Sequence, residues 1–185
     1  MLPKSISQRL VKSEDLNHHK TFFAGRCAEW FVETSFIAVA EYINPQHIVC
    51  LKVHGLEFLH PIYAGDALSI ESTVISNGKS TLTVYTKITC NKTPDRIFCD
   101  GFATFVHVND DTVPQPHGIV IVPTTEEEAR LQEEAKSLVL KSKEKKWNLA
   151  VSLVEHHDVK KCGWSLLSVV RCLLTLKNIS FVKQF

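Results

Sequence analysis

The chain has 185 residues, 21 of them basic and 20 acidic, for a net charge of +1. That balance provides no basic surface for nucleic acid or anionic membrane. A hydrophobic fraction of 44% excludes disorder and fits one globular domain with at most an appendage.

The opening residues, MLPKSISQRLVKSED, contain no apolar core of signal-peptide length. Cysteines 27, 50, 90, 99, 162 and 172 form no CxxC pair and no metal-like spacing with the histidines. The expectation is a cytoplasmic protein with free, buried thiols and no bound metal.

Ser5 to Val11 reads as a short strand with Ile6 and Leu10 on one side. Next comes DLNHHKTFFAGRCAEWFVETSFIAVAEYI, from Asp15 to Ile43: a polar loop, a turn through Ala24-Gly25, and a long helix apolar on almost every side. Such a composition predicts a buried helix. Arg26, Glu29, Glu33 and Glu41 place it in a protein core rather than in hydrocarbon. Asn44-Pro45 stops it, because the residue before proline is pushed out of the helical region.

Four strands are predicted after that stop. Ile48 to Leu59 is rich in Val, Leu and Phe; Leu68, Ile70 and Val74 then alternate with Ser69, Glu71 and Thr73. Asn77-Gly78 is a tight-turn pair, beyond which Leu82, Val84 and Ile88 alternate with polar residues. The loop NKTPDR leads to a last run from Ile97 to Val108. This order lacks the alternating helices of a parallel α/β fold. An antiparallel sheet must cover its apolar face, and the only long apolar helix at hand is the one that precedes the strands. The predicted fold class is α+β, an antiparallel sheet wrapped around a long central helix.

Past Val108 a proline-punctuated connection reaches TTEEEARLQEEAKSLVLKSKEKK, a charged helix, acidic at its start and lysine-rich at its end, with Thr124 or Thr125 as N-cap. In the segment from Trp147 to Phe185, Leu166, Val169, Val170, Leu173 and Leu174 fall at helical spacing. Its low-charge run is shorter than the roughly twenty residues a membrane span needs, so an amphipathic helix is expected. The domain reading is therefore 1–123 for the sheet-and-helix domain, 124–146 for the charged helix and 147–185 for an extension.

Arg26, Glu29 and Glu33 share one helix face, which by itself reads as a solvated or salt-bridged stripe. Glu33 has Trp30, Phe31, Phe36 and Ile37 around it in sequence, surroundings that would desolvate the carboxylate and raise its pKa toward the range of a general base. His18 and His19 are adjacent and cannot present one chelating face, and His54 and His60 read as core or turn residues.

DLNHHKTFFAGRCAEWFVE resembles the active-site loop and helix start of the hotdog-fold acyl-CoA thioesterases. LEFLHPIYAGDAL resembles that family's strand, His-Pro turn and Gly-Asp step, NGKSTLTV its following hairpin, and TTEEEARLQEEAK its terminal helix. The likeness covers Ser5 to Lys146 and gives the tail no counterpart. It implies hydrolysis of acyl-CoA to fatty acid and CoA, with no cofactor, since CoA belongs to the substrate. It also implies a homodimer as the minimum functional unit, with the asparagine and the acid supplied by different chains, and a dimer-based hexamer as a compatible higher assembly.

By the same resemblance, Asn17 matches the loop asparagine that holds the thioester or the attacking water. Gly25 matches the second glycine of the turn, whose N–H at the helix start polarises the thioester carbonyl. Glu33 is the expected acid, and Lys79, Ser80 and Arg26 are the expected contacts to CoA. The acyl pocket is expected near Trp30 and Phe58. Three positions depart from the family pattern: Val32 stands where an aspartate is common, Ala24 replaces the first glycine, and Lys20 replaces a glycine before the aromatic pair. Two other readings stay open. A hotdog dehydratase or hydratase would pair His54 or His60 with Glu33, and a binding module would hold acyl-CoA without turnover.

Overall fold

The computed structural model describes residues 1–156. Its elements in chain order are β1 (Ser5–Leu10), α1 (Ala24–Ala40), β2 (Ile48–Phe58), β3 (Ala67–Asn77), β4 (Thr81–Cys90), β5 (Thr93–His107) and α2 (Glu126–His156). The five strands form one sheet in the order β1-β3-β4-β5-β2, with every pairing antiparallel. The predicted helix and strands are all present, but β5 begins at Thr93 rather than Ile97, because Thr93 still pairs with Cys90 of β4. The predicted amphipathic run at 166–174 lies outside the described residues.

α1 packs on the sheet through Cys27, Trp30, Phe31, Thr34, Ser35, Ala38 and Val39. Phe31 and Val39 are fully enclosed beside Val74, Leu82, Val84 and Phe105, which project from the same sheet face. A hydroxyl cluster lies within this interface, where Ser35 Oγ meets Thr86 Oγ1 at 2.7 Å and Thr86 meets Ser72 Oγ at 2.6 Å. Each buried hydroxyl is therefore satisfied, which is what permits polar residues there. The helix is enclosed on one side only. Ile37 is 49% exposed, and Gly25 and Glu33 also face outward. Ile6 and Leu10 of β1, expected on one face, are likewise exposed.

Two glycines shape the β2–β5 edge. Gly55 takes φ +54° where the β2–β5 register shifts between His54 and Glu57. At Gly101 a Cβ would lie 2.9 Å from the Leu56 Cα, so only glycine lets the bulged strand approach.

At the start of α2, Thr125 Oγ1 accepts from the Glu128 N–H at 3.1 Å and Glu128 Oε2 accepts from the Thr125 N–H at 3.2 Å, a reciprocal capping box. By internal contacts the chain divides into two units, Met1–Lys136 and Ser137–Phe185, and the sheet, α1 and the capped start of α2 all belong to the first.

The Glu128 carboxylate also accepts from the Leu2 N–H at 2.7 Å and from the Thr124 N–H and hydroxyl at 2.7 and 2.9 Å. Burial works to raise its pKa, but these donors outweigh burial and bring the group down to about 2 from an ordinary 4.5. A depressed folded-state pKa stabilises fully above the ordinary value and is lost as the pH falls through the folded one. Acid titration of unfolding should therefore show the stability gap between wild type and Glu128→Gln closing between about pH 4.5 and about pH 2. A gap unchanged over that window would remove Glu128 from the account.

Candidate active site

The loop from Val11 to Phe23 is sewn to its neighbours by backbone hydrogen bonds. Phe23 N–H donates to Asp15 O and Phe22 N–H to Ile62 O, both at 2.8 Å. Val11 and the 65–66 turn exchange two more, at 2.8 and 3.0 Å. Asp15 is 7% exposed; its carboxylate accepts from the Lys12 N–H at 2.9 Å and faces Arg26 Nε at 3.4 Å. The loop is thereby tied to the first turn of α1.

Asn17 organises the tip of this loop. Its Oδ1 accepts from His19 N–H at 2.8 Å and Thr21 N–H at 3.3 Å, and its Nδ2 donates to Thr21 Oγ1 at 3.0 Å. Phe23 then enters α1 without any side-chain cap, so the leading N–H groups of the helix meet no capping oxygen. Gly25 lies in that first turn. A Cβ on it would come 2.5 Å from the Phe23 ring, so glycine is what allows the ring to fold back over the helix start.

Asn17 and the first turn of α1 meet at a pocket of about 250 Å³, lined from that turn by Ala24 and Cys27 and not by Gly25. Asn17, Thr21, Phe22, Ala24 and Cys27 line it from the loop and helix, and Phe58, Leu59, His60, Pro61, Ile62 and Phe98 from the end of β2, the turn after it and β5. The wall is thus mostly apolar, with Asn17, Thr21, His60 and the open helix start as its polar features. Phe58 stands where the acyl pocket was expected; Trp30 does not line the pocket but packs beneath it against Phe22, with ring centroids 4.8 Å apart.

Glu33 lies elsewhere. It borders a second, open hollow with Arg9, Val32, Phe36 and Ile37, and its carboxylate pairs with Arg9 at 3.2 Å. The desolvated setting expected for it is absent in the single chain. Its side chain is 48% exposed, because Trp30 and Phe31 point to the sheet while Glu33 points away. Gly25 and Glu33 are eight residues apart on one helix, about 12 Å along its axis.

The expected CoA contacts are also separate from the pocket within one chain. Lys79 and Ser80 form the β3–β4 turn, beside His107 at the far end of β5. From Cys99, paired with Phe58 at the pocket, to Val106, paired with Thr81, is seven residues, or roughly 23 Å. Arg26 is already held by Glu29 at 2.7 Å and by Asp15.

The two histidines that a dehydratase would need do not meet Glu33. His54 Nε2 contacts Thr104 Oγ1 at 3.1 Å, and Thr104 contacts Thr83 at 3.0 Å. Thr83 and Thr104 alternate with Leu82, Val84, Ala103 and Phe105 of the core, so this row is on the sheet face turned away from α1. Burial, with Lys52 adding to it, holds the His54 imidazole below its ordinary pKa. His60 is at the first pocket, where its Nδ1 accepts from Arg96 at 2.9 Å.

A family model described as the thioesterase superfamily matches residues 19–95. YkhA of Bacillus subtilis (strain 168), an uncharacterized acyl-CoA thioester hydrolase, is 30% identical over 137 residues, which are 71% of this chain and 77% of that protein. The chain belongs to the thioesterase superfamily. Among solved structures, an apo-hexameric acyl-CoA thioesterase matches with 28% identity and TM-score 0.70 over 77% of this chain and 92% of its own. An acyl-CoA hydrolase from Bacillus cereus matches with 27% identity and TM-score 0.69 over 80% and 90%. A Staphylococcus aureus acyl-CoA hydrolase, solved with butyryl-CoA, CoA and CoA disulfide, shares the fold at TM-score 0.73 with 23% identity, covering 85% of this chain and 94% of that one. The sheet and helix of this thioesterase-superfamily chain are the predicted hotdog arrangement.

The three departures from the superfamily pattern have physical readings in the structure. Ala24 begins α1 outside the left-handed region, so alanine meets no backbone penalty there. Val32 is half-buried beside Glu33 and borders the same hollow. Lys20 has φ +62°, the left-handed backbone that glycine adopts freely. The loop keeps its glycine-like shape with a lysine, at a conformational cost of about 1–2 kcal/mol, part of it offset by the greater freedom of glycine in the unfolded chain. Lys20→Gly should therefore raise stability by about 0.5–1 kcal/mol, read as a higher denaturation midpoint, with the loop unchanged. A lower midpoint would show that the lysine side chain itself holds the loop.

Proposed function

We propose that the chain hydrolyses acyl-CoA thioesters to free fatty acid and CoA in the cytoplasm. The observation that carries this reading is the single pocket shared by Asn17 and the uncapped start of α1. The leading N–H groups, Gly25 among them, bear the positive end of the helix dipole and suit the oxygen that becomes negative as a thioester carbonyl is attacked. One amide hydrogen of Asn17 holds Thr21, and the other is assigned to the substrate or the attacking water.

Glu33 is assigned as the general base, acting on the pocket of a second protomer. One rigid helix carries Gly25 and Glu33 about 12 Å apart, so a single chain cannot bring them to the same carbonyl. Support for a second copy comes from β2, the last strand of the sheet, which exposes Val49, Val53 and Phe58. Phe58 also lines the pocket, so a copy placed along β2 would wall it. In the reaction, water adds to the carbonyl carbon while its proton passes to Glu33; the C–S bond then breaks and the CoA thiolate recovers the proton. CoA is part of the substrate, and no cofactor or metal takes part. Lys79 and Ser80, distant from the pocket in their own chain, would reach the CoA of a neighbouring protomer in a dimer-based hexamer. Cys27, Cys50, Cys90 and Cys99 carry free thiols, Cys50 exposed where a buried one was expected, and free thiols favour a reducing compartment. No helix among the described residues is long and apolar enough to cross a membrane.

The test is release of free thiol from acyl-CoAs of several chain lengths. Wild type should turn over, and Glu33→Gln should lose roughly a hundredfold or more in kcat with CoA binding retained. Wild type that binds acyl-CoA without releasing thiol would make the chain a binding module instead.

A further inference from the structure

We propose that Arg96, braced by His60, grips a phosphate of CoA at the rim of the pocket and makes the site selective for phosphate-bearing thioesters. This rests on the acyl-CoA reading above but assigns a residue which that reading does not use. Arg9, Arg26 and Arg130 each face a carboxylate. Arg96 alone among the described arginines has no carboxylate within ion-pair distance.

Its guanidinium instead donates to His60 Nδ1 at 2.9 Å and stands 5.7 Å from the centre of the Phe98 ring. Both of those residues line the pocket. His60 packs edge-on to Phe98, with ring centroids 5.9 Å apart, so imidazole, ring and guanidinium form one braced group. Accepting at Nδ1 makes the neutral imidazole a donor at Nε2. The remaining guanidinium N–H groups are exposed and uncommitted to any carboxylate. A planar fork with spare donors is suited to phosphate, and the apolar pocket behind it is suited to the uncharged arm that links phosphate to thioester.

The grip is tested by titrating CoA and pantetheine into wild type and Arg96→Gln, and by comparing kcat/KM for an acyl-CoA with that for the same acyl group on N-acetylcysteamine. Arg96→Gln should weaken CoA binding about tenfold and lower the acyl-CoA to acyl-N-acetylcysteamine ratio by a similar factor, while pantetheine binding stays as in wild type. Arg96→Lys should fall between the two, because it keeps the charge and loses the fork. Unchanged CoA binding in Arg96→Gln would overturn the proposal, as would an equal loss for pantetheine. Arg96-dependent CoA binding by a wild type that releases no thiol would uphold the grip and defeat the hydrolase reading. Dephospho-CoA separates the two phosphate positions: a retained effect of Arg96→Gln assigns the diphosphate, and a vanished one assigns the 3′-phosphate.

Discussion

One rigid helix carries both halves of the proposed chemistry, and its rise per residue keeps them apart. Gly25 is in the first turn of α1 and Glu33 is eight residues on, about 12 Å along the axis. The helix is fixed on the sheet by Phe31 and Val39, which are wholly enclosed, so it does not bend to shorten that distance. The rest of the proposed site depends on this spacing. The loop brings Asn17 to the helix start, the hollow beside Arg9 presents Glu33 outward, and only a second copy can unite them.

The polar features of the site depend on what is left unsatisfied. A side-chain cap on α1 would occupy the N–H groups that are assigned to the carbonyl oxygen, and Phe23 supplies none. Order in the loop comes instead from Asn17, whose carbonyl oxygen gathers His19 and Thr21, and from Asp15, which anchors Arg26. Arg26 is therefore committed to the frame of the site, while Arg96, across the pocket, is the one described arginine without a carboxylate partner.

Much of the fold is readable from local pattern. Alternation in 67–90 and the Asn77-Gly78 turn specify a hairpin because side-chain period and turn chemistry are both local. The outward face of α1 is not readable this way. Val32, Phe36 and Ile37 accompany Glu33 there, and apolar residues on every side conceal which side meets the sheet. Arg96 is concealed in the sequence by its neighbours Pro94 and Asp95, which read as loop, whereas β5 continues through this irregular stretch to the Thr93–Cys90 pair with β4, and Arg96 stands beside His60. The backbone of Lys20 is likewise set by the loop around it, against the preference of its own residue type.

The division of the site between two copies is tested most directly by complementation. Asn17→Asp keeps the oxygen acceptors that fold the loop and loses the amide donor, while Glu33→Gln loses the base. Each variant should be nearly inactive alone. When equal amounts exchange subunits, about half of the dimers are mixed and each mixed dimer has one intact site, so thiol release should return to about a quarter of the wild-type rate. No recovery, with exchange confirmed by mass, would contradict a site built from Asn17 of one protomer and Glu33 of the other.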